Sequence, residues 1–166
     1  MSFSVLMVCT GNICRSVMAE QILREAAADS GVDILVDSAG ISDEEHGHGI
    51  DSRAARALRE GGYRVPSHRA RQVQAGELQR WDLILAMTSS HLRALERLAG
   101  GPDPKIRMFR DFEEVTGKPA RGGSRDVPDP WYGTMEDFVE TLDVVERVCD
   151  AVAPALVELS EQRQQR

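Results

Sequence analysis

The stretch that most constrains this chain is Cys9-Thr10-Gly11-Asn12-Ile13-Cys14-Arg15-Ser16, set between an apolar run and an amphipathic one. Phe3-Ser4-Val5-Leu6-Met7-Val8 is short and almost wholly apolar, the pattern of a buried strand. From Ser16 to about Ala28, the residues Val17, Met18, Ile22, Leu23 and Ala26 fall on one helical face. A short loop from a strand into a helix N-terminus leaves several backbone N–H groups without intrahelical partners, aimed one way. Such an array binds anions. Gly11 lets the backbone approach a ligand closely, and Asn12 tolerates a left-handed conformation. Arg15 offers a planar fork that matches two phosphate oxygens. A cradle of this kind stabilises a thiolate, which makes Cys9 the expected nucleophile. A nucleophile inside an oxyanion cradle is equipment for phosphoryl transfer through a phosphocysteine.

Strand and helix patterns then alternate. Ile34-Leu35-Val36, Asp82 to Met87 and Lys105 to Phe109 are expected as further strands. Asp51 or Ser52 can cap a helix with Ala54, Ala55 and Leu58 inward, and Thr88 or Ser89 one carrying Leu92, Leu95 and Leu98. Gly31, Gly61-Gly62 and Gly100-Gly101 are the expected stops. The last helix carries Phe138, Leu142, Val145, Cys149, Val152, Leu156 and Leu159 on its core face, and Pro154 should kink or restart it. About Arg110 to Gly133 is an irregular stretch long enough to suggest a functional loop. The alternation implies an α/β fold, a single three-layer domain over residues 1–160 with a parallel sheet and helices on both faces, then a polar tail at 161–166. Ligands on such sheets bind beyond the carboxyl ends of the strands, so the Cys9 loop and Ser38 should meet at one edge.

Charge and cysteine content narrow the function. A net charge of −7 over 166 residues argues against nucleic acid or an anionic membrane surface as partner. No apolar run approaches the length of a membrane span, and no signal peptide precedes the first strand. Three cysteines, two of them in the reactive loop, suit a reducing cytoplasm; export without a classical signal is the alternative. His46 and His48 lie in a polar loop with no third ligand nearby in sequence, so no metal and no other cofactor is expected.

The loop Cys9 to Ser16 resembles the phosphate-binding loop of the low-molecular-weight protein tyrosine phosphatases. Asp37-Ser38-Ala39-Gly40, Ser67-His68-Arg69-Ala70-Arg71-Gln72 and Asp129-Pro130-Trp131-Tyr132-Gly133 resemble that family's further segments, in the same order. The resemblance implies a four-stranded parallel sheet with the phosphate loop after strand one. It implies catalysis by Cys9, Arg15 and Asp129, with Asp129 protonating the leaving oxygen and then activating water. Thr10, Gly11, Asn12, Ile13, Cys14 and Ser16 would surround the substrate phosphate, and Trp131 and Tyr132 would wall the cleft. Ser38 and His68 would join the buried network that holds Asn12 in its strained conformation. Cys14 resembles the second loop cysteine, which in this family can form a reversible disulfide with Cys9. The implied partners are phosphotyrosine proteins, with inorganic phosphate and other oxyanions as inhibitors, for a monomer or weakly self-associating protein.

Three positions depart from the family pattern: Val17 replaces the usual Pro, Glu44 stands where an aromatic often borders the cleft, and Thr88 replaces an Asp found in some members. A protein-arginine phosphatase of the same fold is the main alternative, but members of that kind have Thr at the position of Ile13 and a smaller residue at Tyr132. Arsenate reductases share the loop but need further cysteines, and none lies between Cys14 and Cys149. A non-catalytic anion-binding module would not need Cys9, Arg15 and Asp129 together.

Overall fold

The computed structural model describes residues 2–116 and 125–166. Its centre is β1, Phe3–Cys9, buried along its whole length. β1 pairs in parallel with β2, Ile34–Gly40, on one side and with β3, Leu83–Ala86, on the other. β4, Ile106–Met108, extends the sheet beyond β3, giving the order β2-β1-β3-β4, all parallel. This is the four-stranded parallel sheet expected above.

The pleat of β1 divides the core in two, because successive side chains leave a strand on opposite faces. Phe3, Val5, Met7 and Cys9 pack against α1 (Arg15–Asp29), α2 (Ser52–Glu60) and α4 (Met135–Gln164). Leu6 and Val8 pack the other way, against Leu95 of α3 (Ser89–Ala99) and Leu78 of a 3₁₀ helix at Ala75–Arg80. The result is three layers, with Cys9 as the last residue of the central strand. Neighbouring chain segments part in opposite directions from β1, which opens a crevice at its carboxyl end.

Caps follow the residue types. Asp51 accepts from the N–H groups of Arg53 and Ala54 at the head of α2, and Thr88 accepts from His91 at the head of α3. Gly100 ends α3 in the left-handed region at φ 86°.

Several boundaries differ from the sequence expectation. β2 runs on to Gly40 because Asp37 and Ser38 keep register with Leu6 and Met7, and Ser38 is buried with polar partners. β3 and β4 are shorter than expected, and Phe109 instead opens a 3₁₀ helix, Phe109–Thr116, at the start of the stretch expected to be irregular. Part of that stretch, 117–124, lies outside the described residues. Leu98, expected inward, is exposed. α4 passes through Pro154 without restarting. Pro154 is exposed and so is Asp150, so water can satisfy the carbonyl that loses its helical donor. Through the polar end α4 continues to Gln164, and Arg163 donates to the Ser2 carbonyl and pairs with Asp82.

Candidate active site

The loop after β1 is held from behind by its carbonyl oxygens. The Cys9 carbonyl accepts from Ile41 N–H at 2.9 Å, Thr10 from Ser42 at 3.0 Å, and Ile13 from Asp51 at 3.0 Å. The Asn12 carbonyl lies 2.6 Å from His68 Nε2, and the Cys14 carbonyl accepts from Met18 in the first turn of α1. In a trans peptide the following N–H points opposite to the carbonyl. The N–H groups of Thr10, Gly11, Ile13 and Cys14 are thereby turned away from the scaffold, and among the described residues they find no protein acceptor. α1 starts with Cys14 at its N-cap, without a side-chain cap. The geometry leaves a run of backbone donors without a protein acceptor at a helix N-terminus, directly after Cys9. Close packing makes it possible: a Cβ on Gly40 would sit 2.6 Å from the Thr10 carbonyl oxygen, so only glycine lets β2 approach the loop.

Asn12 lies inside this loop at φ 61°, the described chain's only non-glycine residue in the left-handed region, with no exposed surface. Its amide is oriented by the Arg71 N–H, which donates to Oδ1 at 3.1 Å. Nδ2 therefore donates, to Ser16 Oγ and to Ser38 Oγ, both at 2.9 Å. Ser38 in turn donates to Glu20 Oε1 at 2.7 Å. Ser16 already accepts from Asn12, which leaves its own proton free to point at Cys9 Sγ, 3.0 Å away. A chain of directed hydrogen bonds thus runs from a buried carboxylate to the sulfur.

Arg15 is buried at 5 % exposure, and its Nη1 donates to the Val127 carbonyl at 3.1 Å. Val127 N–H donates to the Met87 carbonyl at the end of β3, and the Pro128 carbonyl accepts from Thr141. These bonds bring Asp129, whose side chain is 51 % exposed, to 3.5 Å from Arg15 Nη2. The Asp129 carboxylate also accepts from Trp131 N–H, fixing the turn. Cys9, Arg15 and Asp129, far apart in sequence, converge on a cleft of about 350 Å³. Thr10, Gly11, Ile13, Cys14, Trp131 and Tyr132 line it too, as do Ser42, Glu44 and Glu45. The side chains of Asn12 and Ser16 are buried behind the loop and support it from beneath. Ser38 and His68 both reach Asn12.

Four contributors were not assigned from sequence. Glu20 ends the hydrogen-bond chain; its signal was the helical spacing Ser16, Glu20, Arg24, and Arg24 pairs with it at 2.6 Å. Arg71 sits in a recognised segment, but its use of a backbone N–H on Asn12 leaves no mark on residue type. Arg53 places its guanidinium 5.4 Å from the Trp131 ring and 4.5 Å from Phe138, backing the aromatic wall. His91 is buried, with Nε2 2.7 Å from Thr10 Oγ1, while its Nδ1 has no partner among the described residues. Burial, and then the Arg15 charge, drops the His91 pKa to about 4, so the ring is neutral at ordinary pH. Burial, and then the Asp51 carboxylate, pushes the Cys14 thiol well above its ordinary range. His48 pairs with Glu45 at 2.6 Å. Among the described residues no group of His, Cys, Asp or Glu is arranged to hold a metal ion, and no helix is long and apolar enough to cross a membrane.

Comparison with known proteins agrees with this geometry. Residues 4–165 match the model of the low molecular weight phosphotyrosine protein phosphatase family. A low molecular weight protein-tyrosine-phosphatase of Streptomyces coelicolor is 41 % identical over 167 residues, covering 98 % of this chain and 99 % of that one. The crystal structure of YfkJ from Bacillus subtilis superposes with a TM-score of 0.84 at 33 % identity, covering 95 % of this chain and 96 % of its own. A mutant of the YwlE arginine phosphatase with a phosphorylated active-site serine superposes with a TM-score of 0.80 at 29 % identity, covering 93 % of this chain and 95 % of that one. With its sequence matched almost end to end and its sheet, helices and phosphate-type loop in place, this chain belongs to the low molecular weight phosphotyrosine protein phosphatase family.

Proposed function

We propose that this protein hydrolyses phosphotyrosine in proteins through a phosphocysteine formed on Cys9. The observation that carries the reading is the loop whose carbonyls are tied back to the scaffold, leaving its N–H groups without a protein acceptor, with Cys9 and Arg15 lining the same cleft. The phosphoryl group binds in that loop, where fixed donors stabilise equatorial oxygens as charge redistributes. The Cys9 thiolate attacks phosphorus, the S–P bond forms and the P–O bond to the tyrosine ring breaks. Asp129 gives its proton to the departing phenolic oxygen. As a carboxylate it then takes a proton from water attacking the phosphocysteine, releasing inorganic phosphate and the thiolate. The Ser16 hydroxyl, held by Asn12, donates to the sulfur and eases its departure. Trp131, Tyr132 and Ile13 give the cleft apolar surface for a flat ring.

The same reading makes phosphoproteins the substrates, free oxyanions the inhibitors and the cytoplasm the place of action. It also makes the enzyme redox-sensitive: a sulfenic acid on Cys9 condenses with the Cys14 thiol to a disulfide, with loss of water. A relay of arsenate-reductase type has no support, since Cys149 is wholly buried in the core beside the Ala19 carbonyl.

The test is to assay matched phosphotyrosine and phosphoarginine peptides, with Cys9→Ser as control. The expected result is turnover of phosphotyrosine, abolished in Cys9→Ser. Preferential hydrolysis of phosphoarginine would replace the substrate assignment, and near-wild-type activity in Cys9→Ser would remove the mechanism.

A further inference from the structure

The charges around the cleft are lopsided. Arg15 lines it, buried, with Nη1 on the Val127 carbonyl and Nη2 3.5 Å from Asp129. Among the described residues no other Lys or Arg lines the cleft, whereas Glu44, Glu45 and Asp129 do. Glu44 stands exposed at the rim.

The backbone of this segment and the Glu45 side chain are held in place. A Cβ built on Gly11 would lie 3.1 Å from Glu45 Cγ, so the Glu45 stem packs on the phosphate loop itself. The Glu45 carboxylate is fixed by His48 at 2.6 Å. Backbone bonds close the segment on both sides: Ser42 N–H to the Thr10 carbonyl at 3.0 Å, His48 N–H to Glu45 at 2.9 Å, and Gly47 N–H to Ala70 at 2.8 Å. The third acid of the run, Asp43, is turned away and lines a separate depression with His46 and Arg71.

We propose that Glu44 and Glu45 are specificity-determining residues that select phosphotyrosine flanked by basic residues and disfavour acidic flanks, an inference that rests on the phosphotyrosine assignment above. The phosphate anchors on the loop's N–H groups, and the peptide on either side must pass the rim. A flanking cation there meets two rim carboxylates; a flanking anion is repelled by both. With two flanking charges and two carboxylates making four pairs, each about 8 Å apart in water, the ratio of basic-flank to acidic-flank kcat/KM should be on the order of a hundredfold at 0.01 M salt. At 1 M salt, where the screening length falls to about 3 Å, it should drop below about twofold.

The experiment measures kcat/KM for matched phosphotyrosine peptides with two basic or two acidic flanking residues, at both salt concentrations. The enzymes are the wild type, the Glu44→Gln/Glu45→Gln double variant and Asp43→Asn. The expected result is a basic preference in the wild type and in Asp43→Asn at low salt, lost in the double variant and at high salt. Equal rates on both peptides at low salt, or an acidic preference, overturn the inference while leaving the phosphotyrosine reading intact. So does an equal loss of preference in Asp43→Asn, because the effect would then be general charge and not the rim. A wild type that hydrolyses neither peptide but does act on phosphoarginine overturns both readings.

Discussion

Replacing Asn12 by Ala strikes the loop at its most constrained point. The variant must hold φ 61° with a side chain that has no polar group to favour it, at a cost of about 1 kcal/mol. It also loses three buried hydrogen bonds: two from Nδ2, to Ser16 and Ser38, and one from Arg71 N–H to Oδ1. At about 1 kcal/mol net each, these bring the total to about 4 kcal/mol, a large part of a small domain's stability. Ser38→Ala should cost about 2 kcal/mol, since it removes the bond from Asn12 and leaves Glu20 one donor short. The two share one bond, so the double variant should be about 1 kcal/mol more stable than the sum of the losses implies. Urea unfolding of the four proteins, with kcat on an aryl phosphate measured in parallel, supplies every quantity. kcat should fall most in Asn12→Ala, because there the Ser16 proton loses its direction towards Cys9, whereas Ser38→Ala keeps the Asn12–Ser16 bond. An Asn12→Ala protein within about 1 kcal/mol of wild type, with kcat unchanged, would refute the view that this network builds the loop.

Other perturbations test separate parts of the site. Asp129→Ala should slow phenyl phosphate by roughly 100- to 10,000-fold, but an ester with a good leaving group far less; equal losses on both substrates would show that Asp129 is not the proton donor. Mild peroxide should inactivate the wild type reversibly, with dithiothreitol restoring it, whereas Cys14→Ser should be lost irreversibly; full recovery of Cys14→Ser would end the protective role. His91, held at about 4 in the fold against an ordinary value of about 6.5, binds its proton first in the unfolded chain, so stability should fall as pH drops from 6.5 towards 4 and this contribution should level off below. Compared with His91→Asn, the wild type should lose about 2 kcal/mol more between pH 7 and pH 4.5 in urea titrations; parallel curves would contradict that assignment.

What could be read from sequence was whatever a local pattern or a contiguous motif encodes. The apolar run of β1, the helical stripe of α1 and the loop between them were all legible, because burial and period are written in residue types. Cys9 and Arg15 were legible from the loop itself, and Asp129 only through the resemblance of its segment to the family's. The end of β2 was not, because Asp37 and Ser38 look like loop residues until Glu20 and Asn12 are brought to them by α1 and the phosphate loop. Arg71 contributes to the site through its backbone N–H, which side-chain chemistry does not reveal. His91 gains its meaning only from Thr10, which lies far away in sequence and next to it in space. The acidic loop was visible as charge. That Glu44 and Glu45 face the cleft while Asp43 does not depends on the turns at Ser42 and Gly47, which sequence spacing cannot resolve.

The central claim is that phosphate passes through the sulfur of Cys9, and trapping that intermediate tests it most directly. Asp129→Ala should be mixed with labelled p-nitrophenyl phosphate, quenched in milliseconds, digested and mapped. The good leaving group lets the first step proceed without the acid, while loss of the base slows hydrolysis of the intermediate. The account predicts label on the peptide bearing Cys9 in near-stoichiometric amount, and none in the same variant carrying Cys9→Ala. Turnover with no label on Cys9, or label on another residue, would contradict it.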